Sequence, residues 1–272
     1  MVTLGKKMIL DLARLSALCY QPKDTIEEMY RVNRPYHKQE NVCAFNTLKE
    51  CPILHKTDED CEVLVCKHES DVLVIAFRGT SSRADVLTDL TIARTKMPLG
   101  NVSEKWWPQI HSGFADQFFS VSKYLDQSVK ENDSIIFCGH SLGGALATIG
   151  SLYYSFQYPE KTISCVTFGS PRVGDDRFVA YFDERIDTSL RYVNDNDPIP
   201  CVPTRMRFSH VKGLQWLNQD VIQNEIHVWR FWRFLKNTTL SYFGVGYNAC
   251  NDHKCDYYID DLMKIFGDSE TD

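Results

Sequence analysis

The chain has 272 residues, 43% of them hydrophobic, with 30 basic and 36 acidic side chains and a formal net charge of −6. That length and apolar content can build one large α/β core or two small ones and exclude global disorder. The acidic balance, with no long basic run, argues against nucleic acid as a partner, and no stretch of 18 apolar residues reads as a membrane-spanning segment.

Near the N-terminus, Leu4, Met8, Leu12, Leu15 and Cys19 recur at helical spacing, while Asp11 and Arg14 interrupt the apolar run that a signal peptide would need. The pattern predicts an amphipathic helix over residues 3–19, packed on the domain, and a cytoplasmic location. Ten cysteines leave secretion open. Cys66, Cys138 and Cys165 fall in apolar runs and are expected as buried thiols. Cys43, Cys51, Cys250 and Cys255 are expected in loops, where an oxidising compartment would pair them. No Cys-x-x-Cys pair occurs, so no zinc site is expected. Asn101, Asn132 and Asn237 match the glycosylation pattern, which has meaning only with secretion.

Residues 21–60 read as an irregular, polar, peripheral excursion. Residues 62–66 and 71–77 read as two strands joined by a turn, the second apolar on both faces as in a central strand. Phe114, Phe118, Val121, Leu125 and Val129 mark a helix at 3.6-residue periodicity. A strand over 135–138 leads into Gly139-His140-Ser141-Leu142-Gly143 and then a Gly/Ala-rich helix. Further strands are expected over 163–168 and 190–193, the second ending in Asn194-Asp195-Asn196-Asp197-Pro198. Strands alternating with helices predict a mostly parallel, doubly wound sheet with helices on both faces. No internal repeat or low-complexity linker divides the chain, so residues 1–272 are expected to form one domain. Residues 213–248, crowded with Trp216, Trp229, Phe231, Trp232, Phe234, Tyr242 and Phe243, are expected as an aromatic-rich insertion. A core-covering helix with snorkelling cations is the favoured reading of that insertion; an interfacial patch or acyl-pocket wall is the other.

The Gly-His-Ser-Leu-Gly run fits G-x-S-x-G, in which a serine stands at a sharp strand-to-helix corner. Glycines on either side remove Cβ atoms that would collide in so tight a turn, and the new helix aims its amides at the site. A serine hydroxyl is a poor nucleophile until a histidine takes its proton and a carboxylate orients that histidine. In doubly wound hydrolases the order along the chain is Ser, Asp or Glu, then His. Asp195 and Asp197 are candidate acids at a strand end; His210, His227 and His253 are candidate bases. His210 beside a strand and His227 among aromatics read as structural, whereas His253 lies in a polar loop before a terminal helix, expected over 257–265. Spacing alone does not choose between these candidates. His140 stands too close to Ser141 to serve as its base and is expected to pack near the corner.

With these residues in place, the chain resembles the class 3 (fungal lipase-like) family of α/β-hydrolases. The match runs through Phe77-Arg78-Gly79-Thr80-Ser81-Ser82, Asp85, Thr88-Asp89-Leu90, His111-Ser112-Gly113-Phe114, Gly139 to Ala147, Thr167 to Gly174, Asp197-Pro198-Ile199-Pro200 and Asp252-His253. It covers roughly residues 60 to 260, and an ordered series of motifs is far more specific than any one of them. The resemblance implies an α/β-hydrolase fold with Ser141 as nucleophile, Asp197 as orienting acid and His253 as base. It places the oxyanion hole at the amides of Thr80 and Leu142, with the Thr80 hydroxyl held by Asp89, and a lid over residues 83–98. It implies hydrolysis of carboxylic esters, of the triacylglycerol lipase or phospholipase type, through an acyl-enzyme. Neither metal nor organic cofactor is implied; the partners are a lipid or ester substrate and peripheral contact with a lipid interface. A small-ester or feruloyl-type esterase and a catalytically silent lipase-like binding protein are the alternatives. Two positions depart from the family pattern: Val86 stands where a Trp is usual, and Gly213-Leu214-Gln215-Trp216 lacks a Glu often found after His210.

Overall fold

The computed structural model describes residues 4–32, 47–50, 52–57, 61–79, 93–194, 197–218, 221–223 and 252–267. Among these residues, eight strands form one twisted sheet. In spatial order they are β1 (Ile53–Lys56), β2 (Glu62–Lys67), β3 (Leu73–Phe77), β6 (Ser134–His140), β7 (Thr162–Phe168), β8 (Thr188–Asn194), β9 (Leu214–Asn218) and β10 (Val221–Gln223). The run β3-β6-β7-β8-β9 is parallel, and β1, β2 and β10 add antiparallel edges. A separate ribbon pairs β4 (Arg94–Lys96) with β5 (Gln109–His111).

Helices cover both faces because the parallel strands are apolar on both. Phe77, Phe137 and Cys165 point one way, into a core with α3 (Ser112–Ser122), α5 (Leu142–Gln157) and α6 (Asp176–Arg185). Val74, Ile136, Phe168 and Tyr192 point the other way, against α1 (Lys6–Leu18) and α7 (Cys255–Phe266). Met8, Leu12, Leu15 and Cys19 are buried, as the helical spacing predicts.

Several expectations are corrected. Residues 21–60 are not simply irregular: α2 (Lys23–Val32) buries Ile26 and Met29, and β1 extends the main sheet. The helix marked by Phe114 to Val129 breaks after Ser122 and resumes as α4 (Asp126–Glu131). The expected insertion at 213–248 begins inside the sheet as the β9–β10 hairpin, because Trp216 and Leu217 are buried core residues. Its remainder from residue 224, including His227, lies outside the described residues. Cys255 is not in a loop; it opens α7, buried, its thiol 3.8 Å from the carbonyl of Ala13. Cys43, Cys51 and Cys250 lie outside the described residues. Burial pushes the Cys138 and Cys165 thiols up to about 12, so both are inert core thiols.

Candidate active site

Parallel strands deliver their following loops to one edge of the sheet, and the candidate residues leave from there. Ser141 joins β6 to α5 with φ 59° and ψ −129°, a conformation that a side chain adopts only under strain. Its amide donates to the carbonyl of Phe168 at 2.9 Å, and its carbonyl accepts from Gly144 at 2.9 Å. The glycines make this corner possible: a Cβ on Gly139 would strike the backbone of Gly143, and one on Gly143 would strike the carbonyl of Phe77. Leu142 is the first residue of α5, and its amide is one of those a helix leaves without an internal acceptor.

The Ser141 hydroxyl lies 2.8 Å from Nε2 of His253, and Nδ1 of His253 lies 2.8 Å from Oδ2 of Asp197. Nδ1–H therefore donates to the carboxylate, which leaves Nε2 free to accept from the serine. The three residues are 1%, 5% and 4% exposed, so their hydrogen bonds operate away from bulk water and are strengthened accordingly.

Asp197 is held by more than the histidine. Its Oδ1 accepts from the Ile199 amide at 2.9 Å, and its Oδ2 accepts from the Tyr258 hydroxyl at 2.6 Å. Tyr258 in turn accepts from the Asn194 amide at 2.9 Å. Burial, reinforced by the charge of Asp197, raises the Tyr258 phenol well above its usual range, so it remains a donor. Gly169 makes room for this cluster. Its φ is +62°, and a Cβ there would sit 2.8 Å from Asp197 Oδ2 and 3.0 Å from His253 Nδ1.

His140 supports the backbone of the histidine loop. Its Nε2–H donates to the carbonyl of His253 at 2.6 Å, so Nδ1 is the acceptor for the Tyr20 hydroxyl at 2.8 Å. The Tyr20 ring lies under the Arg78 guanidinium, which is paired at 2.6 Å with the buried Glu62. Tyr20 thus joins the ends of β3 and β6 to the His253 loop.

The family model for class 3 lipases matches residues 74–206, a stretch that contains Ser141 and Asp197 and stops before His253. Over these residues the chain is similar to the class 3 lipase family. Within it, the chain is 30% identical over 164 residues to a secreted mono- and diacylglycerol lipase of Gibberella zeae, covering 55% of this chain and 50% of that protein. It is 27% identical over 166 residues to a chloroplastic phospholipase A(1) of Arabidopsis thaliana, covering 52% and 37%. The chain thus spans half or less of the length of these curated relatives. The Rhizomucor miehei lipase–propeptide complex superposes with a TM-score of 0.65 at 25% identity, over 81% of this chain and 70% of that one. The sheet with helices on both faces is the α/β-hydrolase fold.

Among the class 3 motif residues, Ser141, Leu142, Asp197 and His253 converge. Thr80, Asp89 and the alternative acid Asp195 lie outside the described residues. The remaining histidine candidate, His210, lies apart from Ser141 and has its Nε2 2.6 Å from the carbonyl of Pro200. Burial first, then Arg191 and Arg172, hold its pKa well below the usual 6.5. Of the expected lid over 83–98, the end is corrected. Residues 94–96 are strand β4, paired with β5, and Met97 is fully buried. Residues 83–92 lie outside the described residues. Sequence reasoning missed Tyr258, Tyr20 and Gly169. The available signals were weak: a tyrosine one turn into the terminal helix, a tyrosine just past the first helix, and a glycine directly after an apolar strand.

Proposed function

We propose that this chain hydrolyses carboxylic esters of lipids through an acyl-enzyme on Ser141. The observation that carries the reading is the unbroken hydrogen-bonded series Ser141–His253–Asp197 on a strained strand-to-helix corner. His253 Nε2 takes the serine proton as Oγ attacks the ester carbonyl carbon. Asp197 keeps the imidazole in the required tautomer and stabilises the imidazolium that forms. The tetrahedral oxyanion is met by the amide of Leu142 at the N-terminus of α5, with Thr80 as second donor and Asp89 holding its hydroxyl, as the family resemblance implies. Nε2–H then protonates the departing alcohol, leaving the acyl group on Ser141. Water, deprotonated by the same histidine, releases the acid and restores the serine. This route asks nothing of a metal or cofactor.

The lipid class is supported by the relatives, named as mono- and diacylglycerol lipase and phospholipase A(1). Ser141 is 1% exposed, so an ester reaches its hydroxyl only when the site opens. Among the described residues no helix is long and apolar enough to cross a membrane. The buried unpaired thiols of Cys66, Cys138 and Cys165 support the proposal of a reducing, cytoplasmic setting.

A fluorophosphonate probe tests the reading. It should label Ser141 in the native protein and fail to label Ser141→Ala, with ester turnover falling roughly 10⁴- to 10⁶-fold while the protein remains folded. His253→Ala should be equally inactive and His210→Ala should retain turnover. Labelling at another serine, or an inactive but folded His210→Ala, overturns the assignment.

A further inference from the structure

The segment that leaves Asp197 has a shape and charge that the ester chemistry does not use. It is pinned at both ends. Asp197 Oδ1 caps the short turn Ile199–Cys201, and the Arg172 guanidinium donates to the carbonyls of Cys201 and, at 2.7 Å, of Pro203. Further on, Phe208 is fully buried with its ring 5.9 Å from that of His111, and the Ser209 amide donates to the carbonyl of Gly174 at 2.8 Å. Between these anchors a turn closes from the Arg207 amide to the Thr204 carbonyl at 3.3 Å, and the tip stands out from the body. Met206 at that tip is 94% exposed, an apolar side chain with almost no protein around it.

Both neighbours of Met206, Arg205 and Arg207, are exposed. A third exposed guanidinium, that of Arg94, lies 3.5 Å from the carbonyl of Arg207. Among the described residues none of these three arginines has an ion pair. A chain with net charge −6 thus gathers unpaired positive charge around a protruding methionine. The place matters as much as the charge: the tip lies on the loop that begins at Asp197, and Arg94 opens the strand that follows residues 80–92.

We infer that the Arg205–Met206–Arg207 tip, with Arg94, is a docking point for an anionic phospholipid surface, which presents the site's edge to its substrate. The inference rests on the lipid-ester reading and names the kind of surface that site works on. One methionine and three guanidinium groups are far too small for a stable protein interface, which needs about 800 Å² from each partner. They suit a bilayer, where an apolar side chain enters the acyl boundary and each nearby cation pairs with headgroup phosphate. The overall negative charge repels the rest of the molecule from such a surface, so attraction confined to this tip also sets orientation.

The experiment is co-sedimentation of the full chain with vesicles of phosphatidylcholine alone and of phosphatidylcholine mixed with phosphatidylglycerol. Ser141→Ala protein is used for binding so that the vesicles stay intact. Affinity should be higher for the anionic vesicles and fall with salt. Arg205→Gln and Arg207→Gln should each weaken binding about fivefold, and together about thirtyfold. Met206→Ser should weaken it several-fold at every salt concentration. In the active protein, all three variants should hydrolyse a soluble short-chain ester at the unchanged rate, since the tip touches no reacting atom. Equal binding to both vesicles, or anionic binding indifferent to the variants, overturns the docking surface, even where soluble ester turnover is intact. Vesicle binding that follows the arginines in a protein without ester turnover keeps the surface and rejects the hydrolytic reading.

Discussion

At the scale of single residues, the proposed triad depends on the groups that hold Asp197 as much as on Ser141, His253 and Asp197 themselves. Asp197 Oδ2 receives donors from both His253 and Tyr258. Tyr258→Phe removes the second donor, so the carboxylate is held less firmly against His253. Turnover of a soluble ester should therefore fall, with KM little changed. Losing a buried hydrogen bond to a charged acceptor should cost about 2 kcal/mol of stability, read from denaturant melts. Gly169→Ala attacks the same pair sterically, since its Cβ would lie within 3.0 Å of both partners and its φ of +62° resists a side chain. Displacement of a catalytic pair by such a clash should lower kcat about 10²-fold with KM for a soluble ester little changed. Ser141 was legible from the sequence through G-x-S-x-G, whereas the Ser, Asp, His order left two acids and three histidines open, and only the family resemblance chose Asp197 and His253. Tyr258 and Gly169 leave none: they meet Asp197 from residues 61 and 28 positions away, and only the packed fold brings them together.

At the scale of elements, helical period made α1 legible, continuous apolar runs the central strands, and the Gly/Ala-rich run after Ser141 made α5 legible. Met8, Leu12, Leu15 and Cys19 repeat at helical spacing, and the runs at 73–77 and 135–138 are apolar on both faces because both faces are covered. What sequence reasoning missed are the edges. β1 and β9–β10 are half-buried and short, so their patterns resemble polar loop, and their strand state comes from pairing with β2 and β8. The terminal helices illustrate how distant elements support the site. α1 and α7 lie together against the sheet face that carries Phe168 and Tyr192, and α7 holds Tyr258 and follows directly on His253. Leu12→Ala opens a cavity at that contact and should cost about 3 kcal/mol. Because α7 anchors the histidine loop, part of the loss should appear as reduced turnover at temperatures below global melting. An activity–temperature curve that simply follows the unfolded fraction would reject this coupling.

At the scale of the whole molecule, the two cores differ in their polar content. The α1/α7 side buries Asp11 beside His68 and Arg14 as well as the Tyr20–His140 link, whereas below the acid loop Arg172, Arg191 and His210 meet Thr148, Ser170 and Ser209. Burial, then the neighbouring Arg172, pushes the Arg191 guanidinium down to about 10, so it stays charged at neutral pH and keeps the surroundings of His210 positive. His210 retains some exposed surface as a residue, but the ring nitrogen facing Pro200 is enclosed, and its Nε2–H donates to that carbonyl. Its folded pKa lies well below the usual 6.5, and this fixes the sign of a global pH effect. Above about pH 6.5 the histidine is neutral in both folded and unfolded chains and contributes no slope. Below that value the unfolded chain binds a proton that the folded chain refuses, so stability falls steadily as the pH drops toward the folded pKa. His210→Gln keeps a donor for Pro200 and removes the titration. Thermal melts at a series of pH values should show wild type and variant running parallel above pH 6.5. Below it, wild type should lose Tm more steeply than His210→Gln; an unchanged difference between the two proteins across that boundary would mean that His210 is not the group that senses acid.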